Sequence, residues 1–195
     1  MSFFFLVVTP KKEIFINNGY LNNHRFINNG YLNIKMDLAI QNPWWKNKAE
    51  IETDEKVAEA LKKDVKAVYQ LKDEKNKIIL GPRQVGKTSM LKLLIYDLIV
   101  NKHIDPLEIC YFSCEPISTK NDIIEVFKEF NKISNGKYIF LDEVTQIPEW
   151  ELAVKFILET KLSKEKVLIA TGSNASLLKQ RNSTNLRIGG MSSAR

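Results

Sequence analysis

Four side chains in two short runs could do chemistry in this chain. Lys87 and Thr88 close the run Gly81-Pro82-Arg83-Gln84-Val85-Gly86-Lys87-Thr88, and Asp142 and Glu143 close Tyr138-Ile139-Phe140-Leu141-Asp142-Glu143. The first run fits G-x-x-x-x-G-K-[ST], a loop that wraps the phosphates of a nucleoside triphosphate. Gly81 and Gly86 are read as residues free to take backbone angles closed to others and to let the chain approach phosphate closely. The loop N–H groups and the start of the next helix form an anion site. Residues Gly81, Pro82, Arg83, Gln84, Val85, Gly86, Lys87, Thr88 and Ser89 are therefore the candidate nucleotide contacts, with Lys87 on the β- and γ-phosphates and the Thr88 hydroxyl on Mg²⁺. Asp142 would hold the Mg²⁺ shell opposite Thr88. Glu143, one residue on, would polarise a water attacking the γ-phosphate. Read alone, a glycine turn or a strand end with two solvated acids would do nothing; together they describe triphosphate chemistry.

Those residues need a sheet to bring them together. Lys77–Leu80 is a short apolar run with the character of a buried parallel strand, and Ser89–Val100 places Leu91, Leu94, Ile95, Leu98 and Ile99 at helical spacing. Asp142 lies 54 residues beyond Thr88, a distance suited to two intervening strand–helix units. Leu107–Phe112 supplies a strand, and Ser118 is the expected cap of a helix over Thr119–Ile133 with Ile123, Ile124, Phe127, Phe130 and Ile133 on one face. After the acids, Pro148 introduces a helix from Glu149 to about Leu162. Val167–Ala170 is a further strand, ending Thr171-Gly172-Ser173-Asn174, where polar side chains could sense a γ-phosphate or simply make a turn. Strands alternating with helices predict an α/β fold, a three-layer α/β/α sandwich with a mainly parallel sheet, and the phosphate-loop motif at its first core strand–helix junction makes it of P-loop NTPase type.

The 195 residues allow one well-cored domain, and 44% hydrophobic with 27% charged residues is an ordinary globular composition. Net charge is +6, of which residues 1–35 supply half; the remainder is too weakly basic to argue for nucleic acid. The two cysteines, Cys110 and Cys114, lie in an apolar strand-like run without a partner cluster, so buried, reduced thiols of a cytoplasmic protein are expected rather than zinc ligands. Phe3–Val8 is too short to span a bilayer and lacks the flanks of a signal peptide.

Four segments are expected. Residues 1–35 form a leader in which Phe-Ile-Asn-Asn-Gly-Tyr-Leu-Asn occurs at 15–22 and again at 26–33, a period of 11 residues with too few copies for an array. This reads as a duplication upstream of a start at Met36, and no function is assigned to it. Residues 36–75 are an aromatic and helical anchor. Within it Asn42-Pro43-Trp44-Trp45 packs against the domain or stacks on a base, and a helix capped by Asp54 runs to Tyr69 with Val57, Leu61, Val65 and Val68 on one face. Residues 76–186 are the core, and 187–195 an irregular tail.

With these motifs in order, the chain resembles archaeal-type AAA+ ATPases, P-loop enzymes with an additional strand and a catalytic Glu. The resemblance rests on Gly81–Thr88, on Leu141-Asp142-Glu143-Val144 followed by Ile147-Pro148-Glu149-Trp150-Glu151, and on Thr171-Gly172-Ser173-Asn174, and it covers about Asp37–Leu186. It implies ATP and Mg²⁺ as cofactors and places the Lys77 strand beside the sensor strand, then the Asp-Glu strand, then the Leu107 strand. It points to Ser173 or Asn174 as sensor. Such proteins continue past the Thr-Gly-Ser segment with a Leu-x-Gly-Arg-like element and a further strand. Here Asn185–Arg195 departs from that pattern, so a C-terminally incomplete fold, an uncovered edge on the Lys77 strand and an unplaced arginine finger are expected, with Arg187 the nearby candidate.

Mg²⁺-dependent ATP hydrolysis is the leading reading, with Lys87 and Glu143 catalytic. A nucleotide-dependent switch, or a non-hydrolysing remnant of a larger ATPase, is the alternative. Self-association or a protein partner is compatible with either. DNA is a weaker partner candidate, for want of basic charge, and no membrane partner is expected.

Overall fold

Strand Tyr138–Asp142 (β4) shows how this sequence makes a three-layer fold. Tyr138 and Phe140 point into one buried cluster, Ile139 and Leu141 into the other. A strand buried on both faces reads as a continuous apolar run, which is why alternation is missing from its sequence. The computed structural model describes residues 6–8, 34–63 and 75–173. The repeat at 15–33, the expected helical turns around Val65 and Val68, Asn174, Arg187 and the tail lie outside the described residues.

The core strands are Lys77–Gly81 (β2), Ile109–Ser113 (β3), β4 and Val167–Ser173 (β5), parallel in the order β2-β5-β4-β3. This is the order the resemblance implied. Helices cover both faces. Ile34–Gln41 (α1), Lys120–Ile133 (α5) and Trp150–Glu159 (α6) bury Leu38, Phe127, Phe130 and Val154 against one side. Glu50–Thr53 (α2), Glu55–Lys62 (α3) and Lys87–Tyr96 (α4) bury Ile51, Val57, Leu91, Leu94 and Ile95 against the other.

Three local expectations need correction. Helix α5 is capped by Thr119, not Ser118: Asp122 stands three residues after Thr119 and closes a capping box, its N–H donating to Thr119 Oγ1 (3.3 Å) and its Oδ2 accepting from the Thr119 N–H (2.9 Å). The long helix after the loop is regular α only to Tyr96 and continues as one π turn over Asp97–Asn101. Finally, β2 is not an open edge. Leu6–Val8 (β1), from the leader given no role, pairs antiparallel with it, Leu6 opposite Leu80 and Val8 opposite Ile78. An apolar run of strand-forming residues finds the unpaired main chain of β2.

The other edge is covered differently. Four consecutive-region side chains act as a surrogate strand along β3. Asn42 accepts from the Tyr111 N–H (2.6 Å) and donates to the Tyr111 carbonyl (2.8 Å); Gln41 accepts from the Ser113 N–H (2.6 Å); the indoles of Trp44 and Trp45 both donate to the Ile109 carbonyl. Ile109, Tyr111 and Ser113 are alternate residues, so their main-chain groups all face the same edge. Trp44 is fully buried and Trp45 is stacked on Phe130, with ring centroids 6.0 Å apart. Neither indole stands ready for a base.

Cys110 and Cys114 are free and fully buried on β3 and just after it. Burial pushes both thiols well above the usual cysteine range, which suppresses the reactive thiolate. A thiol reagent at pH 8 is expected to leave both untouched in native protein and to titrate both in guanidinium; labelling of either in the native state at a free-thiol rate would contradict this packing.

Candidate functional site

The site lies where β2, β5 and β4 end together. Register places Gly81 opposite Ser173 and Leu141 opposite Ala170, so the tips carrying the loop, Ser173 and Asp142 are neighbours at the C-terminal side of the sheet. Such a strand-end crevice is where parallel α/β sheets bind ligands.

From Gly81 the chain turns through exposed Pro82, Arg83 and Gln84, half-buried Val85 and exposed Gly86 into α4. Of the two loop glycines only Gly86 is left-handed, at φ 88°; Gly81 ends its strand without a positive φ, and Gln84, at φ 60°, makes the other left-handed turn. A Cβ at position 86 would meet nothing within 4 Å, so backbone angle rather than space calls for glycine there. Helix α4 begins at Lys87 with no side-chain cap on its first turn, so its dipole and N–H groups face the loop.

Lys87 and Thr88 turn inward, with Ser89 half-buried beside them. Lys87 is 4% exposed. Its Nζ donates to the Pro82 carbonyl (2.8 Å) and the Gly81 carbonyl (3.4 Å) and lies 3.3 Å from Glu143 Oε1. The Thr88 hydroxyl donates to Asp142 Oδ2 at 2.7 Å. Thus Lys87, Thr88, Asp142 and Glu143 converge in one place. Ser173 is fully buried at the tip of β5, its N–H donating to Thr145 Oγ1 (2.9 Å). A Cβ on Gly172 would come within 2.1 Å of the Thr145 methyl, so glycine is what lets Thr145 lie against β5.

Two residues in this cluster, Tyr111 and Lys92, were missed from the sequence, and Thr171 was read only as part of a polar strand tip. Thr171, fully buried in β5, donates its hydroxyl to Asp142 Oδ1 and accepts the Glu143 N–H (3.0 Å). That second bond holds Glu143 in a left-handed conformation, φ 53°, an uncommon state for a side chain of its size. Tyr111 donates to Asp142 Oδ2 at 3.1 Å, and burial, followed by the Asp142 carboxylate, pushes its phenol upward, keeping it a donor. Lys92, one turn after Thr88, pairs with Asp54 Oδ2 at 3.2 Å. Burial pulls its ammonium down against the pull of Asp54. The available signal was polarity at positions that an apolar strand or helix face would fill.

The donor set suits a hard cation. Thr88 Oγ1 and Asp142 Oδ2 stand 2.7 Å apart, two hard oxygen donors close enough together that one Mg²⁺ could be held by both. Among the described residues there is no cluster of three or more His, Cys, Asp or Glu that could hold a metal. Mg²⁺ typically takes one or two protein oxygens and completes its shell with water and phosphate.

A parallel sheet of this order, flanked by helices and joined to α4 through a glycine-bounded loop, defines the α/β P-loop nucleoside triphosphatase fold. Within that class the family described as AAA domain matches residues 73–189, and the chain belongs to it. It is 30% identical over 136 residues to the uncharacterized protein MJ1544 of Methanocaldococcus jannaschii, an alignment covering 68% of this chain. The matched region spans only 28% of that relative's length. No solved structure matches the chain. Among the described residues, no helix is long and apolar enough to cross a membrane.

Proposed function

We propose that this chain is a cytoplasmic, Mg²⁺-dependent ATPase of the archaeal type. One observation carries the reading: Lys87, Thr88, Asp142 and Glu143 converge at the ends of β2 and β4, beside the N-terminus of α4. The loop from Gly81 to Ser89 cradles the triphosphate through main-chain N–H groups, and Lys87 moves from Glu143 and its own loop carbonyls onto the β- and γ-phosphates. Thr88 and Asp142 hold Mg²⁺. The ion, when bound, neutralises charge on the β- and γ-oxygens. Glu143 orients the attacking water and accepts its proton, and Ser173 or Asn174 reports the γ-phosphate.

Replacing Lys87 with Ala tests the site. A fluorescent ATP analogue should bind the native chain and fail to bind Lys87→Ala, with circular dichroism confirming that the variant is folded. Undiminished binding would remove the loop from the site.

A second reading, a nucleotide-dependent switch with slow turnover, is favoured by one feature. Among the described residues Arg83 is the only arginine, and it is exposed on the loop itself. An arginine finger is worth about 10³–10⁵ in rate. Fast hydrolysis would therefore call on an arginine outside the described residues, with Arg187 the nearby candidate in the same chain, or on one from a second copy or a protein partner. Single-turnover phosphate release with increasing protein concentration separates the two readings: a rate that rises with concentration indicates donation in trans.

A further inference from the structure

Behind the metal carboxylate lies a second layer that belongs to neither the loop nor the acid pair. Tyr111 is 6% exposed and its hydroxyl reaches Asp142 Oδ2, the same oxygen that Thr88 contacts. Every other handle on Tyr111 is also held. Asn42 clamps its N–H and its carbonyl. Lys92 places its ammonium 3.9 Å from the Tyr111 ring centroid and 4.8 Å from that of Trp44. Lys92 is itself only 8% exposed and is fixed by Asp54, whose other oxygen caps α3 through the N–H groups of Lys56 (3.0 Å) and Val57 (3.4 Å).

The geometry of α4 explains why this assembles. Thr88 and Lys92 are four residues apart and share a helix face. One turn therefore presents Thr88 to Asp142, and the next presents Lys92 to Tyr111. A buried ammonium is tolerated only with compensation, and here a carboxylate and two ring faces provide it.

We propose that Tyr111 is a positioning residue for the metal carboxylate, and that Asn42, Lys92 and Asp54 tie its placement to the segment preceding β2. A carboxylate has about four acceptor sites, and three hydroxyls occupy sites on Asp142: those of Thr88, Tyr111 and Thr171. Of these, Thr88 is itself assigned to the metal. Tyr111 and Thr171 remain, one on each oxygen, to fix the rotation of the group. Tyr111 acts on Oδ2, the oxygen nearest Thr88, and so sets where the second protein ligand stands. This inference rests on the proposed nucleotide site.

The test measures affinity for a fluorescent ADP analogue in EDTA and in Mg²⁺, for the native chain, Tyr111→Phe and Lys92→Met, each checked for fold by circular dichroism. Loss of an outer-sphere partner weakens metal affinity about 10–100-fold. Tyr111→Phe should therefore bind in EDTA as the native chain does, while the gain conferred by Mg²⁺ falls about tenfold at limiting metal. Direct Mn²⁺ titration by electron paramagnetic resonance should show the same loss. Lys92→Met should shift the Mg²⁺ gain in the same direction by a smaller factor, and keeps the proposal testable should Tyr111→Phe not fold. An unchanged Mg²⁺ gain, or an equal loss with and without metal, would overturn the role of Tyr111 alone. Failure of the native chain to bind nucleotide in either condition would overturn the functional reading, and this inference with it.

Discussion

Glu143→Gln is expected to bind ATP normally while its phosphate release falls by about 10²–10⁴, the usual contribution of a positioned general base. That corresponds to about 3–5 kcal/mol of barrier. The substitution keeps size and hydrogen-bonding capacity but removes the charge and the ability to accept a proton. Backbone placement should survive, because the Glu143 N–H bond to Thr171 is made by the main chain and does not depend on the side chain. Nucleotide affinity should hold or rise: Glu143 Oε1 lies 3.3 Å from Lys87 Nζ, so the neutral amide competes less with phosphate for that ammonium. The side chain is 24% exposed, leaving an approach for water. Single-turnover assays with labelled ATP read both quantities on one sample. Phosphate release unchanged from the native chain would take Glu143 out of the reaction and turn attention to Asp142 or to a base outside this cluster.

The two halves of the candidate site were legible in the sequence for different reasons. Gly86, Lys87 and Thr88 are tied together by local geometry, because a loop entering a helix uses residues adjacent in the chain. Asp142 and Glu143 were found because a fully buried strand ends abruptly in charge. Parallel packing with helices on both faces followed from continuous apolar runs alternating with helical spacing. The sheet order did not follow from those patterns; it came from the resemblance alone. What escaped notice acts across strands. Thr171 and Tyr111 are ordinary strand residues by propensity, and only the order β5-β4-β3 puts their hydroxyls on the same carboxylate. The left-handed Glu143 was invisible for the same reason, since its N–H is satisfied from β5. Edge protection was misjudged because three residues of an apolar leader suffice to pair with β2, and so short a strand carries almost no periodicity.

Asn42→Leu should destabilise the fold by several kcal/mol while keeping the heavy-atom count and branching of the side chain. Asn42 is fully buried, and its amide donates to the Leu38 and Tyr111 carbonyls (2.7 and 2.8 Å) and accepts from the Tyr111 N–H (2.6 Å). Leucine satisfies none of these, and no apolar replacement of the backbone groups accompanies it. Each buried group left without a partner costs about 1–3 kcal/mol. Three such groups, not strictly additive, amount to roughly 3–6 kcal/mol against a total stability of about 5–15 kcal/mol for a typical domain. Urea unfolding should show a lowered midpoint with an unchanged slope, the mark of lost stability rather than altered compactness. Asn47→Ala provides the contrast. Asn47 is exposed, its amide donating to Glu50 Oε1 at 3.5 Å and accepting from the Ala49 N–H at 3.2 Å; water can replace both partners, so its loss should cost no more than about 1 kcal/mol. If Asn42→Leu proves equally mild, the amide is not what seals the β3 edge, and Gln41 on the Ser113 N–H with the indoles of Trp44 and Trp45 on the Ile109 carbonyl would have to hold it. A large loss instead makes one side chain the hinge between the segment before β2 and the strand carrying Tyr111, since the same amide that closes the edge also fixes the main chain on which the Asp142 contact depends.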